Sequence, residues 1–215
     1  MKAVFRIFIL FFVYSINGYC QKEWTYIKEK SGIRLFQRDY GTNGIKENRA
    51  ETTIKNIGYH TIIAIFRDHS SFHTWVTDMK EVRNVKSISP QEHYDYYDVK
   101  IPWPFENRDA VYHQKIFYDA TDKSLNIVFR SVPDVLPEQK NRIRMKDSFG
   151  GWKFVHRGNE LFVVYHHYSD PVNLPSNLIN IFVPEGVFDT ILRFKDFALK
   201  YGDKYKSVRY AFIPE

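Results

Sequence analysis

The sequence predicts an α+β protein, in which a run of antiparallel strands precedes one long C-terminal helix. Three observations carry this. From Lys80 to about residue 169 the apolar residues recur with period two, as in half-buried strands. From Val187 to Tyr201 the period becomes helical, with Val187, Ile191, Phe194, Ala198 and Tyr201 on one face. Strands segregated from a packing helix define the α+β class. The length of 215 residues suits one domain, and 44% hydrophobic with 26% charged residues is ordinary for a globular chain. Aromatic residues at 17% are in excess, which fits either a strand-rich core or an apolar-walled cavity.

The elements follow in order. Met1, Lys2 and Arg6 precede the apolar run Ile7–Tyr14 and then Gly18-Tyr19-Cys20, the pattern of a signal peptide spanning residues 1–20. The alternatives are an uncleaved N-terminal anchor and a lipoprotein acylated at Cys20, against which the bulky Tyr19 argues. Cys20 is the only cysteine, so cleavage after it leaves a domain without disulfides. That combination places the protein in the periplasm or at the outer surface of a bacterium. Residues 21–215 then form a single domain. Trp24–Lys30 is read as a short helix ended by Ser31-Gly32, and Ile33–Arg38 and Ile45–Ile54 as paired strands around a Gly41–Gly44 turn. Asn56 is read as the cap of a helix carrying Tyr59, Ile62, Ile63 and Phe66, and Trp75 sits in a second, shorter turn. A strand through Val82, Val85 and Ile88 ends at Pro90. Further strands are expected at about 92–101, 108–119, 124–132, 139–149, 151–157 and 160–169, with Gly150-Gly151 a turn or bulge. In the last helix Pro175 suits the first turn and Pro184 is expected to kink or break it. Phe188, Leu192 and Leu199 make a second apolar stripe, so this helix is buried on more than one side or faces a ligand.

The most informative stretch is Tyr96-Tyr97-Asp98-Val99-Lys100-Ile101-Pro102-Trp103-Pro104 followed by Asn107-Arg108-Asp109. Two closely spaced prolines end one strand, and the next begins near Arg108. Pro137-Glu138-Gln139-Lys140 with Ile143-Arg144, and Asp170-Pro171 leading to Leu174-Pro175 and Leu178-Ile179-Asn180, are equally unusual. In combination with Trp75 and the terminal helix, these segments resemble the START domain, the lipid-transfer domain related to the steroidogenic acute regulatory protein. The resemblance covers roughly residues 24–201. It implies the helix-grip fold, a curved antiparallel sheet wrapped around the C-terminal helix and enclosing a hydrophobic cavity. It also implies non-covalent binding of one lipid, phospholipid or sterol-like molecule, gated by the C-terminal helix with Pro184-Glu185-Gly186 as hinge, and no cofactor.

The residues assigned to such a site are Trp75, Asp95, Tyr97, Arg108, Gln114, Arg130, Arg144, Phe188, Ile191 and Leu192. Gln114 stands where cholesterol-binding relatives carry an arginine, which argues against cholesterol while leaving a group able to hydrogen-bond a ligand head. Asp95 and Asp98 point to opposite faces of their strand, and Arg130 or Arg144 is the expected partner of whichever is buried. His69 and His73 have helical metal-ligand spacing beside Asp68, but no third ligand is identifiable, so no metal is expected. An enzyme of the wider superfamily, a cyclase or hydrolase, would need a titratable group deep in the cavity, for which His113, Asp95 and Tyr97 are the candidates. A third reading is an envelope protein with a side-chain-filled interior and a partner-binding surface. No nucleophile elbow or phosphate-binding glycine loop is present. The net charge of +6 is dispersed, with no basic tract of the kind that binds nucleic acid, and is compatible with transient contact at a membrane surface. The expected partner is thus a hydrophobic small molecule or lipid, bound by a monomer.

Overall fold

The computed structural model of the chain describes residues 22–214. The expected signal peptide lies outside them. Strands β1 (Thr25–Lys30), β2 (Ile33–Asp39) and β3 (Lys46–Lys55) lead into helix α1 (Tyr59–Arg67), a 3-10 turn at His69–Ser71 and helix α2 (Phe72–Trp75). Then come β4 (Met79–Ser89), β5 (Glu92–Val99), β6 (Arg108–Asp119), β7 (Ser124–Ser131), the short β8 (Ile143–Arg144), β9 (Ser148–Arg157), β10 (Glu160–Ser169) and helix α3 (Ser176–Tyr201). The strands form one open sheet in the order β1-β2-β3-β10-β9-β7-β6-β5-β4, antiparallel throughout, with β8 added in parallel to β6. This is the helix-grip architecture that the sequence predicts.

The inner face of the sheet and the apolar face of α3 make one core. Leu35, Ala50, Leu125, Ile127, Phe154 and Val163 are fully buried against Ile191, Phe194 and Ala198 of α3. Each such aliphatic or aromatic side chain contributes roughly 1.5–3 kcal/mol relative to exposure. Helix α1 is buried from Ile62 to Phe66, so it is sandwiched rather than laid on the surface. Phe66, Trp75, Trp152 and Phe194 interlock, with ring centroids 4.9–6.1 Å apart, as a partition across the middle of the molecule. Of the two stripes on α3, the first is buried except for Tyr201. The second is buried at Phe188, half-buried at Leu192 and exposed at Leu199.

Several expectations are corrected. Trp24–Lys30 is not a helix: residues 25–30 form edge strand β1, paired with β2. Ser31 and Gly32 both have positive φ, 55° and 69°, so the glycine signals a two-residue hairpin turn and not a helix cap. Helix α1 starts from Gly58, and Asn56 instead occupies a left-handed turn at φ 59°. The strand expected at 139–149 is reduced to Ile143–Arg144, with Ser148 and Phe149 opening β9, and Arg144 holds the loop before it through the carbonyls of Pro133 and Leu136. Gly150 and Gly151 lie inside an uninterrupted β9. A Cβ on Gly150 would stand 2.4 Å from the His166 carbonyl oxygen and 2.6 Å from Cζ of Phe129. The glycine therefore makes room for the Phe129 ring crossing from β7. Helix α3 runs unbroken through Pro184.

Candidate ligand-binding cavity

Between the sheet and the first half of α3 lies a cavity of about 520 Å³. That falls within the roughly 300–1,000 Å³ usual for small-molecule sites. The inner-face residues of six strands meet there: Met79 of β4, Tyr97 and Val99 of β5, Tyr112 and Gln114 of β6, Ile127 and Phe129 of β7, Trp152 of β9, and Tyr165, His167 and Ser169 of β10. The helical side is Ile179, Phe182, Val183, Gly186, Val187 and Thr190 of α3, together with Phe72 and Trp75 of α2. Nothing lies within 4 Å of where a Gly186 Cβ would be, so the helix backbone itself borders open space. The aromatic partition forms the floor. The interior is thus not plugged by its many rings, because they stack on one another: Trp152 on Tyr165 at 4.1 Å, and Tyr97 and Phe129 edge-on to Tyr112 at 5.1 Å each.

Polar groups gather on the sheet side of the hollow. The Tyr97 hydroxyl donates to Gln114 Oε1 at 3.4 Å, while Gln114 Nε2 is buried without a hydrogen-bond partner. A buried, unsatisfied amide donor costs about 1–3 kcal/mol unless something accepts from it. Tyr112 pairs with Ser148 Oγ at 2.7 Å, and His167 Nε2 lies 3.3 Å from the same oxygen. These groups are held neutral. Burial pushes the Tyr112 phenol up to about 12 and the Tyr97 and Tyr165 phenols up strongly. Charged lining residues, among those described, are Asp78, Lys100, Glu185 and Asp189, all on the segments bordering α3 and the 100–105 loop.

His167 retains some accessible surface, but that surface faces the cavity. Burial, then the charge of His166, lowers its pKa from 6.5 to about 4. At pH above 6.5 the ring is neutral both folded and unfolded and has no effect. Between about pH 6.5 and 4 the unfolded chain takes up a proton that the folded protein refuses, so stability falls on acidification. At about 1.4 kcal/mol per pH unit the loss reaches up to about 3 kcal/mol by pH 4. Urea titrations at several pH values should show this component in the wild type and its absence in His167→Gln.

The mouth is apolar. Trp103 in the loop between β5 and β6 is 92% exposed, and Phe182 on α3 is 62% exposed. Phe105 and Ile181 beside them are also exposed. Among the described residues no helix is long and apolar enough to cross a membrane.

Of the residues assigned from sequence, Trp75, Tyr97 and Gln114 line the cavity, and the others lie elsewhere. Arg108 and Asp109 are neighbours on a strand and point to opposite faces. Arg108 donates to the carbonyls of Pro171 (2.8 Å), Val172 (3.0 Å) and Glu106. Asp109 instead receives both arms of Arg144, each at 2.9 Å. Arg144 also donates to the carbonyls of Pro133, Leu136 and Pro137, which holds that loop against β6. Arg130 lies 5.4 Å from the Phe149 ring centroid, and Lys28 lies 4.7 Å from that of Phe188. Ile191 is in the core and Leu192 packs beside it. Lys195 donates to Thr52 Oγ1 at 3.3 Å, away from the cavity.

Asp95 and Asp98 are both buried. Asp98 is bound by Arg142 at 2.7 and 2.8 Å. Asp95 is met by Asn84, His93 and His69, so neither Arg130 nor Arg144 is the partner of either aspartate. Burial would raise the Asp95 pKa, but polar contacts with His69 and then His93 outweigh it and bring it to about 2. His113 pairs with Glu92 at 2.5 Å outside the cavity.

The lining residues missed from sequence carried a readable signal. Tyr112 with Gln114, and Tyr165 with His167 and Ser169, are two apart, hence on one strand face. Once any one of them is known to face inward, the others follow.

No family model matches the sequence. The chain is 25% identical over 171 residues to the phosphatidylcholine transfer protein of Mus musculus, covering 77% of this chain and 78% of that protein. The crystal structure of a STAR-related lipid transfer protein fragment from Xanthomonas axonopodis superposes with a TM-score of 0.74 at 28% identity, over 80% of this chain and 97% of that one. Human STARD10 superposes with the same TM-score at 16% identity, over 85% of this chain and 76% of that one, a likeness of fold. With the open sheet, the gripped helix and the hollow between them already established, these likenesses point one way: the chain is similar in sequence and in fold to START, or StAR-related lipid transfer, domain proteins.

Proposed function

We propose that this protein binds one hydrophobic molecule in the cavity, buries a neutral polar group of that molecule against Tyr97 and Gln114, and exchanges it at a membrane surface. The observation that carries the reading is the orphaned Gln114 Nε2 in an otherwise apolar hollow. It is a donor awaiting an acceptor such as a hydroxyl, ester or amide oxygen. A phosphate would call for fixed cations, and the only cation among the described lining residues is Lys100. Removing an acyl chain or ring system from water supplies affinity at roughly 25 cal/mol per Å².

The first half of α3 is the gate in this reading. Pro184 has no N–H to give the Asn180 carbonyl, which weakens the helix at that point. Beyond it Val187, Ile191 and Phe194 are anchored in the core. Before it the helix is held by few groups: the Asn180 side chain bonds Lys46 N and Gly44 O, and Ile179 packs near Tyr168; directly after it, Glu185 pairs with Lys28 at 2.6 Å. Trp103 and Phe182 at the mouth suit insertion into a lipid interface. The cavity groups orient the ligand and do no bond chemistry, in keeping with their neutral states. The N-terminal signal pattern supports export, and a monomer suffices for the whole site.

The test is Gln114→Leu. It should change the stability of the empty protein by no more than about 1 kcal/mol, since it removes an unsatisfied donor but also the acceptor of the Tyr97 hydroxyl. It should weaken binding of a long-chain alcohol or monoester about ten- to a hundredfold, a loss of roughly 1.4–3 kcal/mol. Binding of the matched hydrocarbon should not change. Equal loss for both probes, or for neither, would contradict the assignment of Gln114.

A further inference from the structure

Phe72 lines the cavity and also packs edge-on to His69, with ring centroids 5.5 Å apart. On its far side is a cluster that lipid binding does not use. His69 lies in the turn before α2, and His93 and Asp95 lie on the inner face of β5. One ligand atom from each comes within 4.8 Å of the other two. His93 Nε2 is 3.0 Å from Asp95 Oδ2, and His69 Nε2 is 3.4 Å from it. Asp95 is fully buried and His93 nearly so, while His69 keeps 21% of its side-chain surface exposed. Asn84 Nδ2 donates to Asp95 Oδ1 at 3.0 Å, but Oδ2 accepts no well-formed hydrogen bond despite two imidazoles beside it. A wholly buried carboxylate oxygen left in that state is costly.

We propose that His69 Nε2, His93 Nε2 and Asp95 Oδ2 form a binding site for one divalent transition-metal ion of the Zn²⁺ class. The donor set of two imidazoles and a carboxylate suits such an ion. A tetrahedral ion about 2.0–2.2 Å from each donor sets the donors about 3.3–3.6 Å apart. The two imidazole–carboxylate spacings already stand near that value. The third closes by rotation of His69, the least buried of the three. Asn84 holds the carboxylate from behind, as outer partners of metal ligands commonly do. The fourth position opens past His69 toward solvent and takes a water. Each ring binds the ion through an unprotonated Nε2, with its single N–H on Nδ1. The bound ion ties the turn between α1 and α2 to β5, and so fixes the wall of the cavity that carries Phe72 and Trp75.

The test uses the tag-free full chain and Zn²⁺ or Co²⁺ alone. Equilibrium dialysis should find one Zn²⁺ per chain, and Co²⁺ should give the intense visible absorption of a tetrahedral site. His69→Gln and His93→Gln should each weaken binding at least tenfold, Asn84→Ala about tenfold, and His73→Gln not at all. His69 is partly exposed on a short turn, so its variant is the one expected to fold. If either variant fails to fold, NMR of the wild type decides, because Zn²⁺ should shift the ring signals of His69 and His93 and leave those of His113 and His156 unmoved. No stoichiometric Zn²⁺, undiminished binding by folded His69→Gln, or unshifted His69 and His93 rings would each overturn the site and leave a hydrogen-bonded cluster only.

Discussion

Replacing Arg144 with methionine is expected to cost about 3–5 kcal/mol of folding stability, the largest effect of any single change considered for this protein. Arg144 and Asp109 are 1% and 0% exposed and joined by two parallel hydrogen bonds of 2.9 Å. Removing the guanidinium leaves a carboxylate charge with no solvent and no partner. It also strips donors from the carbonyls of Pro133, Leu136 and Pro137, so the loop between β7 and β8 loses its attachment. A buried ion pair is itself seldom a net gain over apolar packing. Arg144→Met combined with Asp109→Leu should therefore recover much of the loss. Urea denaturation of the three variants measures this. Equal stability of Arg144→Met and wild type would show that the pair is not buried as described.

Removing the apolar mouth, with Trp103→Ser and Phe182→Ser together, should lower partitioning onto lipid vesicles by roughly a hundredfold or more. Aromatic side chains bury about 150–250 Å² each, and even half-burial of two such rings at roughly 25 cal/mol per Å² amounts to about 4 kcal/mol. Both side chains are largely exposed and make no core contact, so folding should stay as it was; because both also border the cavity, ligand binding in detergent is measured alongside to separate the two effects. Vesicle co-sedimentation and the rate of ligand transfer between vesicles should fall together. A double variant that partitions and transfers like the wild type would place the membrane contact elsewhere or remove it from the mechanism.

The fold was legible where local chemistry and tertiary structure agree. The alternation along strands such as β5 and β10 and the helical stripe on α3 are period signals that burial enforces, whereas β4 is an exposed edge strand with bulges. The Pro102–Pro104 segment could only be a strand end. Legibility failed where a signal has two physical meanings. Ser31-Gly32 serves equally as a helix cap and as a hairpin turn, and the pairing of β1 with β2 decides between them. Gly150-Gly151 reads as a break, yet it is a close approach demanded by Phe129 from another strand. Pro184 reads as a break, yet packing of α3 on both sides carries the helix through it.

The site was legible in kind and less so in membership. Trp75, Tyr97 and Gln114 belong to the cavity wall, while Arg108 and Arg144 are spent on carbonyls and on Asp109, and Arg130 lies over the Phe149 ring. Charge draws attention in a sequence, but which loop an arginine will satisfy depends on long-range folding. The metal-like spacing of His69 and His73 met the same limit. The partners of His69 are His93 and Asp95, contributed by a strand more than twenty residues away.

The claim on which the rest depends is that the hollow between sheet and helix is a binding site and not a packing defect. Native mass spectrometry of the folded protein after exposure to a total lipid extract tests it most directly. The account predicts one hydrophobic molecule per chain, lost in a variant such as Val187→Trp whose new side chain occupies the hollow. A folded protein that stays at its unliganded mass across such an extract would contradict it.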